Sequence, residues 1–171
     1  NGAAVRVLLL DFKKAFDLID HNLLAEKLRL FDLPKWVLNW IVDFLSCRKQ
    51  RVKLKYDCFS EWELVPAGVP QGTKLGPWLF LIMINDLKLP NNEMCKFVDD
   101  TTLSEVIKKD QTSNLQNEID TLANSISSDK FQLNGTKCKE MRIGFGSNAN
   151  GFEPITINNI TLDLVQHAKV L

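Results

Sequence analysis

The stretch Val5-Arg6-Val7-Leu8-Leu9-Leu10 runs straight into Asp11, and no other feature constrains the fold as tightly. β-Branched residues at its start and apolar residues at both parities predict a strand covered on both faces, hence a central one. A carboxylate at the end of such a strand is costly unless something compensates its charge. Around this strand the 171 residues, 45% of them hydrophobic, suffice for one domain with its own core. Lys and Arg number 21, as do Asp and Glu, so the net charge is zero. That excludes a disordered polyelectrolyte and leaves no global basic field, so any nucleic-acid contact needs a local patch. The most apolar run, Leu75 to Ile84, contains Gly76 and Pro77 and is too short to span a bilayer. No membrane partner is expected.

Cys47, Cys58, Cys95 and Cys138 form no C-x-x-C pair, and His21 and His167 are the only histidines, which argues against zinc. Scattered cysteines in a domain of this size read as reduced and intracellular. The start of the chain carries no Met and no secretory signal, and reads as cut from something longer.

Leu24, Leu28 and Phe31 mark one helix. Trp36/Val37, Trp40/Ile41 and Phe44/Leu45 mark a second after Pro34, with Trp36 and Trp40 expected in the core. Gln50 to Tyr56 alternates strictly and predicts a strand, which Glu61 to Val65 could join as a hairpin. Lys74 to Leu87 predicts an apolar helix with Pro77 near its first turn. Met94 to Val98 and Thr101 to Ile107 predict strands joined at Asp99-Asp100. Ser113 with Gln116 predicts a capping box, opening a helix marked by Leu115, Ile119, Leu122 and Ile126. Cys138 to Phe145 predicts a strand, Ile155 to Leu162 a hairpin around Asn158-Asn159, and Ala168 to Leu171 the start of another strand. Strands and helices mixed without a strict βαβ repeat indicate an α+β fold, an antiparallel sheet with helices packed on one face.

Three carboxylates stand out as candidates for chemistry: Asp11, Asp99 and Asp100. Oxygen-rich clusters at strand ends are what hard divalent cations need. Two such ions roughly 3.5–4 Å apart can hold the attacking and leaving oxygens of a phosphoryl displacement. On spacing alone, Asp-Asp is equally a turn and Asp11 equally a helix cap. The alternating segment puts Lys49, Arg51, Lys53 and Lys55 on one side, where they could track a nucleic-acid backbone or simply solvate a sheet face. Trp62, like Trp36 and Trp40, could stack bases.

Motif context narrows these choices. Leu10-Asp11-Phe12-Lys13-Lys14-Ala15-Phe16-Asp17 resembles the first catalytic motif of reverse transcriptases. Ala67-Gly68-Val69-Pro70-Gln71-Gly72 followed by Leu75-Gly76-Pro77 resembles their second, and Phe97-Val98-Asp99-Asp100 their Asp-Asp box. Leu133-Asn134-Gly135-Thr136-Lys137 follows as motif D and Val165 to Leu171 as the opening of motif E, in the family's order. The insert carrying Arg48-Lys49-Gln50-Arg51-Val52 is similar to that of non-LTR, LINE-type retrotransposon enzymes.

The resemblance implies the palm of an RNA-directed DNA polymerase, residues 1–171 forming a palm fragment. It implies two Mg²⁺ ions (Mn²⁺ as a substitute) on Asp11 and Asp99, with the Phe12 carbonyl completing the coordination. Asp100 is the less direct metal ligand, since adjacent strand residues face opposite ways. It implies that Phe16 excludes a ribose 2′-hydroxyl, although a core Phe is the plain reading of that residue. Gln71 would lie beside the incoming nucleotide and template base, with Gly72 allowing close backbone approach. Lys137 would protonate the pyrophosphate, against the default of a surface lysine.

RNA template, DNA primer and deoxynucleoside triphosphates are the implied partners, and a nuclear place of work follows from the family's habit of copying into nuclear DNA. The fingers, thumb and endonuclease are expected outside this stretch, which alone would have little or no activity. A decayed or domesticated palm that binds RNA or protein is the rival reading. Val98 stands where alanine is common in this group.

Overall fold

The computed structural model describes residues 4–89, 91–108, 111–144 and 151–168. In chain order its elements are β1 (Ala4–Leu10), α1 (His21–Leu28), α2 (Lys35–Leu45), β2 (Lys49–Gln50), β3 (Glu63–Leu64), α3 (Leu75–Ile84), β4 (Glu93–Phe97), β5 (Asp100–Ile107), α4 (Leu115–Ser128), β6 (Lys139–Gly144), β7 (Thr156–Ile157), β8 (Ile160–Thr161) and β9 (Asp163–Val165). Asn1–Lys13 with Asp86–Leu171 make one compact unit, and Lys14–Asn85 make another.

The first unit is built on a five-stranded sheet in the order β4-β5-β1-β6-β9. β1 is central, as expected: it pairs antiparallel with β5 from Ala4–Ile107 to Leu10–Thr101, and with β6 from Ala4–Gly144 to Leu9–Lys139. It is not covered on both faces, since Val5 and Leu9 are half-buried and Val106, opposite Val5, is 63% exposed. All pairings are antiparallel except the short β6–β9 ladder, which is parallel. The α+β, largely antiparallel architecture is therefore as expected, with β9 its one parallel member. Ala4, Arg6, Leu8 and Leu10 share a face with Thr101, Leu103, Glu105 and Ile107, and all eight are buried. α4 turns Leu115, Ile119, Leu122 and Ile126 inward at helical spacing. Burying four aliphatic side chains is worth roughly 6–12 kcal/mol before entropy is charged.

The buried face also carries ions. Arg6, 3% exposed, donates from Nε to Glu140 Oε1 (2.8 Å), from Nη1 to Ser113 Oγ (2.9 Å) and from Nη2 to the Glu153 carbonyl (2.9 Å). Arg142 donates to both Glu140 oxygens at 2.7 and 3.0 Å. Burial alone would push the Glu140 carboxyl up; hydrogen bonds from Arg142 and Arg6, with their charges, outweigh it and hold the group below its ordinary value. Ser113 Oγ accepts from Arg6 and, at 3.4 Å, from the Leu115 N–H, and donates to Glu105; the Gln116 side chain turns to Thr156, so the expected reciprocal capping box does not form. Asn114 is the residue before the helix, and Gln116 exchanges hydrogen bonds with the Thr156 backbone.

The Asn158-Asn159 hairpin is present, with both residues at positive φ (50° and 62°), the backbone of a type I′ turn. β6 begins one residue later than expected. Phe145 and residues 169–171, where its end and a further strand were expected, lie outside the described residues.

In the second unit α3 confirms the apolar helix, though it ends at Ile84, and Pro77 sits in its first turn. α1 closes at Leu28, so Phe31 falls beyond it and is 41% exposed. α2 buries only Ile41 and Leu45. Trp36 and Trp40, expected in the core, are 72% and 55% exposed, because the helix's inward edge is the Ile41–Leu45 line and Trp40 stacks on Phe44 instead.

The predicted strand over Gln50–Tyr56 reduces to the two-residue β2, paired with β3. Beyond Gln50 the ribbon continues as a Lys53–Phe59 bridge, with two residues (51, 52) facing three (60, 61, 62), which is a bulge. A two-stranded ribbon with every residue from 51 to 60 exposed has no face to bury, so its alternation cannot sustain a regular ladder.

Among the described residues, no helix is long and apolar enough to cross a membrane.

Candidate active site

In the first unit, Asp11 follows the last β1 residue and its side chain is 38% exposed. The β1–β5 register ends at Leu10–Thr101, so the next step sets Asp11 opposite Asp100. Asp100 itself pairs with Phe97, which makes Val98 and Asp99 the two central turn residues. The turn thus lies one residue earlier than the expected Asp99-Asp100 junction. Val98 sits at φ 54°, in the hairpin position where glycine is usual. A β-branched residue held there stores on the order of 1–3 kcal/mol of strain. Asp99 and Asp100 are both exposed at this end of the sheet.

Phe12 is buried, with its ring edge-on to Phe131 at 5.9 Å, and forms an isolated antiparallel bridge with Leu133. The bonds that make the bridge flank it: Lys13 N–H donates to the Gln132 carbonyl and Asn134 N–H to the Asp11 carbonyl, both at 2.8 Å. Phe12 and Leu133 are therefore a non-hydrogen-bonded pair. The Phe12 carbonyl points away from Leu133, toward the side of β1 that β5 occupies.

Lys137 Nζ stands 3.9 Å from Asp11 Oδ1 and is 69% exposed. Next to it, Cys138 is fully buried against Asp11: its sulfur accepts the Asp11 N–H at 3.3 Å, and its thiol faces the Asp11 carbonyl at 3.8 Å. Burial pushes this thiol up; the Asp11 backbone bond opposes it, the Asp11 charge adds to it and the Lys139 charge opposes it. Cys138 therefore stays a neutral donor at pH 7. Sequence reasoning treated it only as a free cysteine, since nothing in the spacing shows that it brackets Asp11.

The carboxylates of Asp11, Asp99 and Asp100, with a backbone carbonyl at the same end of one sheet, are the oxygen donors a hard divalent cation uses. Among the described residues no three His, Cys, Asp or Glu side chains are gathered into a ready-made metal group. The donor chemistry fits such an ion, and binding would require the carboxylates to draw together.

Phe16, Gln71 and Gly72 lie in the second unit. Phe16 is half-buried and stacks on Phe80, centroids 5.0 Å apart and planes 26° apart. The loop Gly68–Gln71 is tied to the segment that follows Phe16: Gly68 N–H donates to the Ile19 carbonyl (2.7 Å) and Val69 N–H to the Phe16 carbonyl (2.8 Å). Gly68 has φ +80°, and a Cβ there would meet Asp17 and Phe16 backbone atoms at 2.7–2.8 Å, so only glycine allows this approach. Gln71 Nε2 donates to Asp17 Oδ1 at 3.3 Å. Gly72 is exposed at φ +79° with open space around it.

A cleft of about 530 Å³ borders this loop, lined by Asp17, Arg48, Gln50, Leu64 and Gln71 among others. Arg48 Nη2 donates to the Gly68 carbonyl at 2.7 Å, and burial lowers its pKa from the usual guanidinium value. Nothing in the spacing of Arg48 within its basic run signals this link to a glycine loop twenty residues on.

The basic set divides. Lys49 is in β2; Arg51, Lys53 and Lys55 lie on the exposed irregular ribbon rather than in a strand. The Arg51 guanidinium lies over the rings of Phe59 (3.8 Å) and Trp62 (4.6 Å), and Lys53 lies over the same Phe59 ring at 5.4 Å and pairs with Asp57 at 3.5 Å. Trp62 thus holds an arginine.

The fold is similar to that of telomerase from Candida tropicalis, seen in complex with a fragment of telomeric RNA: TM-score 0.65, 18% identity, 94% of this chain and 29% of that one. A C. tropicalis telomerase truncated from its C-terminal domain gives a TM-score of 0.61 at 18% identity, over 94% of this chain and 35% of that one. Among curated proteins, the probable RNA-directed DNA polymerase from transposon BS of Drosophila melanogaster is 34% identical over 83 residues, 48% of this chain. This chain spans 9% of that relative's length. The model of the family described as reverse transcriptase (RNA-dependent DNA polymerase) matches residues 1–164, and the chain belongs to that family.

Proposed function

We propose that the chain is the palm of an RNA-directed DNA polymerase of a non-LTR retrotransposon, working within a longer protein. Its reaction is attack of a primer 3′-hydroxyl on the α-phosphorus of a deoxynucleoside triphosphate, directed by an RNA template, with pyrophosphate leaving. The observation that carries this reading is the register that sets Asp11 opposite Asp100 beside the strained Val98-Asp99 turn. The transposon polymerase relative supports the retrotransposon origin.

Asp11, Asp99 and Asp100, with the Phe12 carbonyl, would hold Mg²⁺ or Mn²⁺, which when bound supplies charge neutralisation around the reacting phosphates. Lys137 would serve as the proton donor, a reading supported by its exposure and its 3.9 Å distance from Asp11. Phe16 would exclude the ribose 2′-hydroxyl, its ring braced by Phe80, and Gln71 with Gly72 would border nucleotide and template. Lys49, Arg51, Lys53 and Lys55 would contact backbone phosphates, a reading supported by their exposure on the ribbon.

In the complete parent protein, Asp99→Asn should lower extension of a primer on an RNA template by more than about 100-fold, the scale of losing a key electrostatic contact. Circular dichroism and melting temperature should stay at wild-type values. Extension at a near wild-type rate would overturn the assignment. The rival, a palm that has lost catalysis and binds RNA or protein, is favoured by one observation, the lack of a gathered metal group among the described residues. It predicts no extension from the wild-type protein either.

A further inference from the structure

The Gly68 peptide is held more firmly than turn closure requires. Backbone bonds from Gly68 to Ile19 and from Val69 to Phe16 already close the loop. Two side chains then converge on the remaining acceptor: the Gly68 carbonyl receives His21 Nε2 at 2.7 Å and Arg48 Nη2 at 2.7 Å. Because a carbonyl only accepts, His21 must carry a proton on Nε2. Arg48 reaches the neighbouring Ala67 carbonyl at 3.4 Å as well.

This arrangement is a poor device for stability alone. Arg48 Nε is buried with no hydrogen-bond partner among the described residues, and an unsatisfied buried donor is costly. Placing a guanidinium there makes sense where its position matters more than its energy. What it positions is clear from the connectivity. His21 opens α1, a few residues after Phe16, while Arg48 precedes β2. Both grip the loop in which Gln71, three residues on, reaches back to Asp17.

We infer that His21 and Arg48 are positioning residues for nucleotide selection: by holding one carbonyl between them they fix the separation of Phe16 and Gln71. The inference rests on the polymerase reading above, in which Phe16 senses the sugar and Gln71 the base pair. Neither His21 nor Arg48 touches substrate in this account; they act through the Gly68 peptide.

The test uses the full-length parent protein and primer extension on an RNA template, with deoxynucleotides and ribonucleotides compared. Arg48→Ala should raise KM for the deoxynucleotide about tenfold and erode the preference over ribonucleotide by a similar factor, with kcat changed less, as expected when one charged hydrogen bond is lost from a positioning element. His21→Ala should act in the same direction. His21→Gln, whose amide N–H can donate to the same carbonyl, should restore both values toward wild type. Hydrogen exchange gives a readout independent of turnover: the Gly68 and Val69 amides should exchange faster in Arg48→Ala, with those of β1 unchanged.

Unchanged KM, selectivity and exchange in the two alanine variants of an active protein would overturn this inference and leave the polymerase reading standing. So would a loss of kcat that merely tracks a smaller folded fraction. A wild-type protein that extends nothing would overturn the polymerase reading and this inference with it.

Discussion

The two places where this chain packs an arginine in a β-ribbon treat that residue in opposite ways. On the central sheet Arg6 is 3% exposed and bonded in every direction, with Glu140 and Arg142 completing the row. On the 49–64 ribbon Arg51 is exposed and, among the described residues, lies over the rings of Phe59 and Trp62 with no carboxylate paired to it. The difference follows from what surrounds each ladder. β1 has a strand on either side and a covered face, so a charge there must be fully paired or it is ruinous. The ribbon has two strands and no covering layer, so a charge there is solvated and contributes mainly through contact with aromatic rings. Buried charge specifies how the sheet, the segment leading into α4 and the 152–153 segment meet; exposed charge places no such constraint on the ribbon.

The sharpest way to break this contrast is Glu140→Ala. It leaves Arg6 and Arg142 without their shared carboxylate and should cost roughly 3–5 kcal/mol, read from chemical denaturation. A loss below about 1 kcal/mol, the scale of a surface pair, would mean that the row is solvated and the contrast false.

A pH series sharpens the same point. Glu140 is held below its ordinary pKa, so its contribution is complete above the unfolded carboxylate value and disappears as the pH falls through the lowered folded value. The stability gap between wild type and Glu140→Ala should therefore be constant near neutrality and narrow under acid. A gap that stayed constant down to pH 2 would show that the charge of Glu140 contributes nothing.

On the ribbon, Arg51→Ala should cost only about 0.5–1 kcal/mol, since exposed cation–π contacts are weak, while changing the fluorescence of Trp62. A loss of several kcal/mol would show that the ribbon is a buried element after all.

The candidate residues could be picked out of the sequence because their signals are local. Asp11 after a two-sided apolar strand, the Gly-Val-Pro-Gln-Gly run and the paired Asp99-Asp100 each sit within a few residues, and such spacings survive folding. The central position of β1 was legible from its apolar residues at both parities, although the face that carries Val5 and Leu9 is only partly covered, with Val106 63% exposed opposite Val5. What could not be read was anything made by distant residues meeting. Arg6 looked like one polar residue in an apolar run, and its partner Glu140 lies 134 residues away. The Ser113 capping box obeyed its local rule on paper and lost to Arg6 and Glu105, which claim the same hydroxyl, and to Thr156, which claims the Gln116 side chain. Trp36 and Trp40 have helical spacing, but spacing marks a stripe and does not say whether anything packs against it.

The order of the chemical boxes, the α+β class and the choice of candidate carboxylates thus came from the sequence alone, because short-range pattern and residue chemistry suffice for them. The tertiary structure decided which charge is buried, which tryptophan is exposed, that Cys138 brackets Asp11, and that His21 and Arg48 share one carbonyl. Those outcomes depend on which surfaces meet, and in an unaligned single sequence no spacing encodes the partner of a residue far along the chain.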